Sequence, residues 1–231
     1  MSMHRYAVYF APASTHPLWH AGCSLLGRDP EANRPIPQPT VAGITTARLA
    51  EVTAGPARYG WHGTLKPPFA LADGTDAAEL DAALGDLARV TRGFAMPPLA
   101  LACLSGFIAV VPAAPSPDLD GLAATCVRRF DRFRRPPDPA ELARRRHAGL
   151  TPEEERNLAE WGYPYVMDRF RFHMTITGRL DTQAQHATRD ALAPHLAAAL
   201  AEPLRADGIA LYAEPAAGEP FILLRRYAFS A

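Results

Sequence analysis

Lysine is almost missing from this chain. It occurs once, at Lys66, and arginine supplies every other basic residue. Cysteine is scarce as well: Cys23, Cys103 and Cys126 are odd in number and unpatterned, which argues for a reduced, cytoplasmic setting and against a disulfide framework. Net charge is absent, with 24 basic against 24 acidic residues. That removes any blanket electrostatic argument for nucleic acid or an anionic membrane, while leaving room for a local patch. Long apolar runs are lacking too. The uncharged stretch 94–117 approaches membrane-spanning length, but Pro97, Pro98, Gly106 and Pro112 interrupt it. It reads as two strands, 99–104 and 107–111, joined at Ser105-Gly106, so no membrane is expected. Strand-like Arg5–Phe10 begins with no apolar segment or cleavage site before it, unlike a signal peptide. No phosphate-binding glycine loop, dinucleotide fingerprint or nucleophile elbow is found. His16, His20 and Cys23 share a helical face, but no further ligand cluster accompanies them; no metal and no cofactor is expected.

What is present is a doubled motif. Tyr59-Gly60-Trp61-His62-Gly63-Thr64-Leu65-Lys66 and Phe170-Arg171-Phe172-His173-Met174-Thr175-Ile176-Thr177 each carry a His, one spacer, a Thr and an aliphatic residue. Both read as β-strands. In the second, Phe170, Phe172, Met174 and Ile176 alternate with Arg171, His173, Thr175 and Thr177, the period of a half-buried strand. Side chains two apart share a face, so each His stands beside its Thr, with Cα atoms about 6–7 Å apart. In the first copy Lys66 extends that row.

The 231 residues, 48% hydrophobic and 21% charged, suffice for one large domain or two small lobes. Residues 14–26 form a helix capped by Ser14 or Thr15, with Pro17 in its first turn, followed by a loop at 27–38. A second helix at 40–53 is ended by Gly55-Pro56, and Pro67-Pro68 closes the first motif strand. Residues 76–91 are amphipathic, with Leu80, Leu84, Leu87 and Val90 at helical spacing. Helices at 118–133, 139–147 and 151–161 follow. The second motif strand runs to about Leu180, then come a helix at 182–200 and strands at 206–212 and 221–229. The order motif strand, helix, hairpin occurs twice. The expected fold is therefore α+β and bilobal: two pseudo-symmetric small antiparallel β-sheets facing a central cleft, with helices outside. The lobes cover about 40–112 and 166–231, with a mostly helical insertion at about 113–165 and the N-terminal strand at 5–10.

Two imidazoles facing each other across a cleft suit acid–base chemistry. One accepts a proton while the other donates, because imidazole titrates near neutrality. Two threonine hydroxyls can donate to non-bridging phosphate oxygens as charge develops. In-line attack at phosphorus places nucleophile and leaving group on opposite sides, which opposed histidines serve without a metal. Lys66 or Arg171 can add positive charge toward a phosphate, and Tyr6 can line the cleft.

His62-Gly63-Thr64-Leu65 and His173-Met174-Thr175-Ile176 resemble the paired signature of the two-histidine phosphoesterase superfamily, which includes RNA 2′,3′-cyclic phosphodiesterases and 2′–5′ ligase-like proteins. More narrowly, Arg5-Tyr6-Ala7-Val8-Tyr9-Phe10, the first motif and Trp161-Gly162-Tyr163-Pro164-Tyr165 resemble an uncharacterised branch encoded beside phosphonate-degradation (carbon–phosphorus lyase) genes. The resemblance implies metal-independent hydrolysis of a small cyclic phosphodiester such as a ribosyl 1,2-cyclic phosphate. It makes His62 and His173 catalytic and Thr64 and Thr175 phosphate-holding. Lys66, Arg171 and Tyr6 are further substrate-contact candidates.

Two alternatives stand beside this. One is an RNA-end enzyme acting on 2′,3′-cyclic or 2′–5′ linkages, with the arginines from Arg128 to Arg146 as its contact; a solvated, salt-bridged helical face is the simpler account of those arginines. The other is a non-catalytic phosphate-ester binder. A monomer is expected.

Overall fold

The computed structural model describes residues 3–147 and 149–230. Strand β1 (Arg5–Phe10) is buried from Tyr6 onward, as an uncharged run of Tyr, Val and Phe should be. Helix α1 (Pro17–Leu26) is capped not by Ser14 or Thr15 but by the ring of His16, whose Nδ1 accepts from Leu18 N. The loop after it holds a small hairpin, β2 (Arg28–Asp29) and β3 (Arg34–Pro35).

Helix α2 (Thr46–Tyr59) starts later than expected and runs through Gly55-Pro56 instead of ending there. Proline removes the N–H that would bond the carbonyl four residues back. Here that carbonyl, on Val52, accepts instead from Gly178 N at 2.7 Å. A tertiary donor replaces the lost helical one, and the helix continues.

Next come β4 (Gly63–Phe69), α3 (Ala77–Val90), β5 (Phe94–Ala95), and the hairpin β6 (Leu99–Leu104) with β7 (Phe107–Pro112). Ser105 and Gly106 both have positive φ, 48° and 101°, as a two-residue hairpin turn of the primed type requires. On α3, Leu80, Leu84 and Leu87 are buried, whereas Val90 is 74% exposed and leaves the apolar stripe. The insertion comprises α4 (Pro117–Arg129), a 3-10 turn at Asp131–Phe133, α5 (Pro139–Arg146) and α6 (Pro152–Trp161). Then follow β8 (Met174–Thr175), α7 (Thr182–Ala201), β9 (Arg205–Ala206), β10 (Gly208–Glu214) and β11 (Ile222–Ala228).

The fold is α+β, with one antiparallel seven-stranded sheet in the order β11-β10-β1-β4-β8-β7-β6. The two sets of strands expected as separate small sheets are joined edge to edge, where Gly63 on β4 pairs with Met174 on β8. The motif strands therefore lie side by side. The halves also exchange parts. Motif strand β4 and helix α3 lie with β10 and β11, while β8 and α7 lie with β6 and β7. Each spatial lobe thus takes its hairpin from the other half of the sequence, so the lobes do not follow the ranges 40–112 and 166–231.

The second motif strand is shorter than expected. Burial alternates through Ile176, then Thr177 turns inward at 1% exposure. Its Oγ1 accepts from Ile108 N at 3.0 Å, and Gly178 N has left the ladder for Val52.

Trp61 lies on the strand face opposite to His62 by alternation and is fully buried against α1. A Cβ at Gly22 of α1 would sit 2.1 Å from Trp61 Cδ2. The Gly22→Ala protein should lose about 1–3 kcal/mol through overpacking, and roughly 2–4 °C of Tm per kcal/mol lost. Thermal unfolding checks this, and an unchanged Tm contradicts it.

Candidate active site

The Gly63–Met174 pair sets the geometry. Continuing its antiparallel register puts His62 opposite Thr175 and Thr64 opposite His173. Directly opposed Cβ atoms lie about 4.5–5.5 Å apart, and diagonal ones about 7–8 Å. The two His-x-Thr rows therefore form a square, with the histidines on one diagonal and the threonines on the other. Gly63 is required at its centre, because a Cβ there would lie 2.5 Å from the Phe172 ring.

Each histidine is tied down by its own chain two residues back. His62 Nδ1 lies 2.9 Å from Gly60 O, and His173 Nδ1 lies 2.8 Å from Arg171 O. A carbonyl can only accept, so both Nδ1 atoms carry the proton and both Nε2 atoms are left as acceptors in the neutral rings. Gly60 turns its carbonyl toward His62 with φ 75°, a left-handed value that favours glycine. His62 Nε2 sits 3.2 Å from Thr64 Oγ1, whose hydroxyl donates to it.

The ring of His62 stacks on Tyr9, with centroids 3.7 Å apart and planes 18° from parallel. Tyr59 and Tyr212 stand 6.5 and 6.1 Å away. Burial in this aromatic nest pulls the His62 pKa down to about 4; the Gly60 carbonyl opposes the shift and the nearby His173 adds to it. Burial lowers His173 too, against the Arg171 carbonyl, and less strongly. Both imidazoles are neutral at pH 7 in the free protein.

The remaining candidates separate. Lys66 does not stand in the open row with His62 and Thr64. The register between β1 and β4 shifts between the Tyr9–Thr64 and Val8–Lys66 pairs, which breaks strict alternation. Its side chain is buried, and Nζ donates to Val127 O at 3.1 Å and Asp131 Oδ1 at 3.2 Å. Burial brings its ammonium down to about 8, with Asp131 pulling the other way. Tyr6 is 1% exposed in the hydrophobic core, so the tyrosine of this strand that meets a histidine is Tyr9. Arg171 is exposed and lines a separate hollow of about 380 Å³ with Phe170 and Phe172. Tyr9 and Gly60 were not singled out in the sequence. With Tyr6, Tyr9 and Phe10 all on this strand, local pattern could not tell which ring would stack, since that depends on which strand lies beside β1.

Beside the square, a cavity of about 530 Å³ is bounded by β1, β4 and the helical insertion. Lys66, Arg5 and Tyr163 line it. Arg5 and Arg58 bond the buried carboxylate of Glu214, joining β1, α2 and β10 at this edge. Burial alone would raise Glu214; the two guanidinium groups and Gly218 N–H hold it below the usual carboxylate range. Among the described residues no group of three or more His, Cys, Asp or Glu side chains is placed to hold a metal ion, and no helix is long and apolar enough to cross a membrane.

Fold and site together define an antiparallel α+β protein with two His-x-Thr rows on adjacent strands. The chain belongs to the family described as protein of unknown function (DUF1045), which matches residues 64–222. That span includes Thr64, His173 and Thr175 and begins two residues after His62. The chain is 37% identical over 233 residues to a protein named ribose 1,5-bisphosphate phosphokinase PhnN from Janthinobacterium sp. (strain Marseille). It is 39% identical over 221 residues to one of the same name from Laribacter hongkongensis (strain HLHK9). These alignments cover 99% and 96% of the chain but 51% of each relative, so the chain spans about half their length. Among solved structures, E. coli LigT complexed with ATP superposes with a TM-score of 0.44 at 13% identity, covering all of both chains. A crystal structure of a phosphoesterase gives 0.44 at 14% identity, covering 99% of each.

NMR titration of the imidazole protons should place the His62 midpoint near 4, with His173 shifted to the acid side of the ordinary value of 6.5. In the His173→Gln protein the His62 midpoint should rise, because a neighbouring positive charge has been removed. A midpoint for His62 at or above 6.5 contradicts the enclosure described here.

Proposed function

We propose that this chain opens a small cyclic phosphodiester, with His62 and His173 as its acid–base pair and Thr64 and Thr175 as donors to the phosphate. The observation that carries the reading is the cross-strand square, with both Nδ1 atoms held by carbonyls and both Nε2 atoms left as acceptors, that of His62 taking the Thr64 hydroxyl until substrate displaces it. A phosphate above the square would have a threonine hydroxyl on either side and an imidazole at each end.

The difference between the two imidazoles supports a division of roles. His62, with the lower pKa, is the one still neutral when the other is protonated, so it is the base. Its Nε2 takes a proton from water as the water oxygen bonds to phosphorus. The bond from phosphorus to the opposite ring oxygen breaks, and His173 Nε2–H gives its proton to that oxygen. The product is a phosphomonoester with a free hydroxyl. Thr64 and Thr175 donate to non-bridging oxygens, whose charge grows in the transition state. No step requires a metal.

The reading places the chain with the two-histidine phosphoesterases that its motifs resemble. The phosphokinase named among its relatives handles a ribose phosphate, which supports a ribosyl 1,2-cyclic phosphate in phosphonate catabolism as substrate. The kinase activity in that name is not carried over. It belongs to proteins twice this length, and this sequence has no G-x-x-x-x-G-K-[ST] loop to hold a nucleotide.

Hydrolysis of ribosyl 1,2-cyclic phosphate, nucleoside 2′,3′-cyclic phosphates and a 2′–5′ dinucleotide, all in EDTA, tests the proposal. A cyclic phosphate should be opened, and His62→Ala and His173→Ala should each lower kcat by at least about 10²-fold. Preference for the nucleoside 2′,3′-cyclic phosphates or the dinucleotide would move the protein to RNA ends, and no turnover of any compound would favour a binding role. A second test is the pH profile. The competent free protein has one imidazole charged and one neutral, so kcat/KM should peak between about 4 and the His173 value, on the acid side of 6.5. A peak above pH 7 contradicts the assignment.

A further inference from the structure

Helix α2 touches both His-x-Thr segments, through two of its carbonyls that lie on either side of Pro56. At its C-terminal end Gly60 O holds His62 Nδ1 at 2.9 Å. About two turns earlier, Val52 O accepts from Gly178 N at 2.7 Å. Gly178 follows Thr175 by three residues and His173 by five. Among the described residues this is the one backbone bond between α2 and residues 170–180. The two carbonyls are eight residues apart. At a rise of about 1.5 Å per residue that is about 12 Å. The helix is a spacer of fixed length with one motif at each end.

The second attachment exists because residue 56 is proline. Any other residue there would send its N–H to Val52 O, four residues back. Proline has no N–H, and its ring pushes that carbonyl away from the helix axis. Val52 O is left without a helical partner, and Gly178 N takes it. Gly60 N in turn donates to Pro56 O at 3.1 Å, which closes the helix at the residue that holds His62.

Nothing around this joint is slack. Val52 and Thr53 are buried, and Thr53 Oγ1 donates to Leu49 O while accepting from Gln38 Nε2. Arg58 O accepts from Phe221 N at 2.7 Å, and Tyr59 stacks on Phe221. On the other side, Ile176 N donates to Ile108 O, and Thr177 Oγ1 accepts from Ile108 N. A shift of the Val52 carbonyl therefore passes into the strand that carries His173 and Thr175, because packed elements transmit strain. The direct link between β4 and β8 is the single Gly63–Met174 pair. One pair fixes the register but not the angle between the strands, and α2 supplies a second attachment away from that pair.

We infer that Pro56 is a positioning residue for the two histidines: by leaving Val52 O to Gly178 N, it makes α2 the gauge that sets the distance between His62 and His173. The kinetic consequence rests on the acid–base reading given above; the gauge itself does not. The helix forgoes one of its own hydrogen bonds, and with it some intrinsic helix preference. A proline that merely bent the helix would leave the freed carbonyl to water.

Two substitutions in the full chain separate this role from helix stability. Pro56→Ala returns an N–H to Val52 O and favours the helix. Gly55→Ala favours the helix as well, with no atom within 4 Å of the added Cβ, and leaves Val52 O alone. The Pro56→Ala protein should keep or raise its Tm, yet lose at least about 10-fold in kcat, since about 1 Å of misplacement costs up to about 10²-fold. Its KM should change by less than about 3-fold, as expected when only the chemical step suffers. The Gly55→Ala protein should keep the parent kcat. Two further readouts need no substrate. Hydrogen exchange of the Gly178 amide should be slow in the parent and at least about 10-fold faster in Pro56→Ala. The displacement of the His62 midpoint caused by His173→Gln should be smaller in the Pro56→Ala background than in the parent, because the released strand moves away.

An unchanged kcat in Pro56→Ala overturns the inference. So does a loss of kcat accompanied by a fall in Tm or matched by Gly55→Ala, either of which assigns Pro56 to folding alone. A Gly178 amide that exchanges freely in the parent overturns it whether or not the variant folds. Should the parent open no cyclic phosphate, the hydrolase reading fails and the midpoints still decide: unchanged coupling between the histidines overturns the gauge, and weakened coupling upholds it.

Discussion

The antiparallel step between Gly63 and Met174 is the contact on which everything else in this molecule depends. It is one residue pair long on the β4 side, yet it joins a four-stranded block to a three-stranded one and sets both His-x-Thr rows in register. A one-residue slip would turn one row to the other face of the sheet. Three constraints guard against that. Phe172 fills the space over Gly63, Trp61 is locked against Gly22, and the Tyr212 hydroxyl donates to Trp61 O at 3.2 Å.

The helical insertion is fixed to the same place by charge. Asp131 receives both Lys66 and Arg134, linking β4 to the turn after α4. Burial has cost Lys66 part of its preference for the charged state, so the pair acts less as a source of stability than as a positional pin. What it positions is the helical wall of the cavity. The only lysine in the chain thus serves the cavity indirectly.

Much of this could be read from residue order. Strand β1 was legible from its run of Tyr, Val and Phe. The hairpin turn at Ser105-Gly106 was legible from the one dipeptide able to adopt two positive φ values, and the start of α6 from Thr151 and Glu154, which do form a capping box. The two His-x-Thr rows were legible because alternation along a strand is a local rule. What escaped was non-local. Pro56 ends a helix by every local rule, but Gly178, over a hundred residues away, supplies the missing partner. Lys66 follows Thr64 in alternation until the register shifts beside β1. The exchange of hairpins between halves leaves no trace in the repeat, since motif strand, helix and hairpin recur in the same order whichever lobe the hairpin joins. Tyr9 could be chosen over Tyr6 only by knowing which strand lies next to which.

The place of β1 between β4 and β10 has a kinetic side. Its partner on one edge, residues 63–69, emerges soon after it during synthesis; its partner on the other, residues 208–214, is made last of the sheet's inner strands. At about 5–20 residues per second, that edge stays open for roughly 10–40 s on the ribosome. The interval exposes a run of Tyr, Ala, Val, Tyr and Phe with unpaired backbone groups, the kind of segment that recruits other nascent chains. An inner strand of the finished sheet is thus, until translation nears residue 214, an open edge.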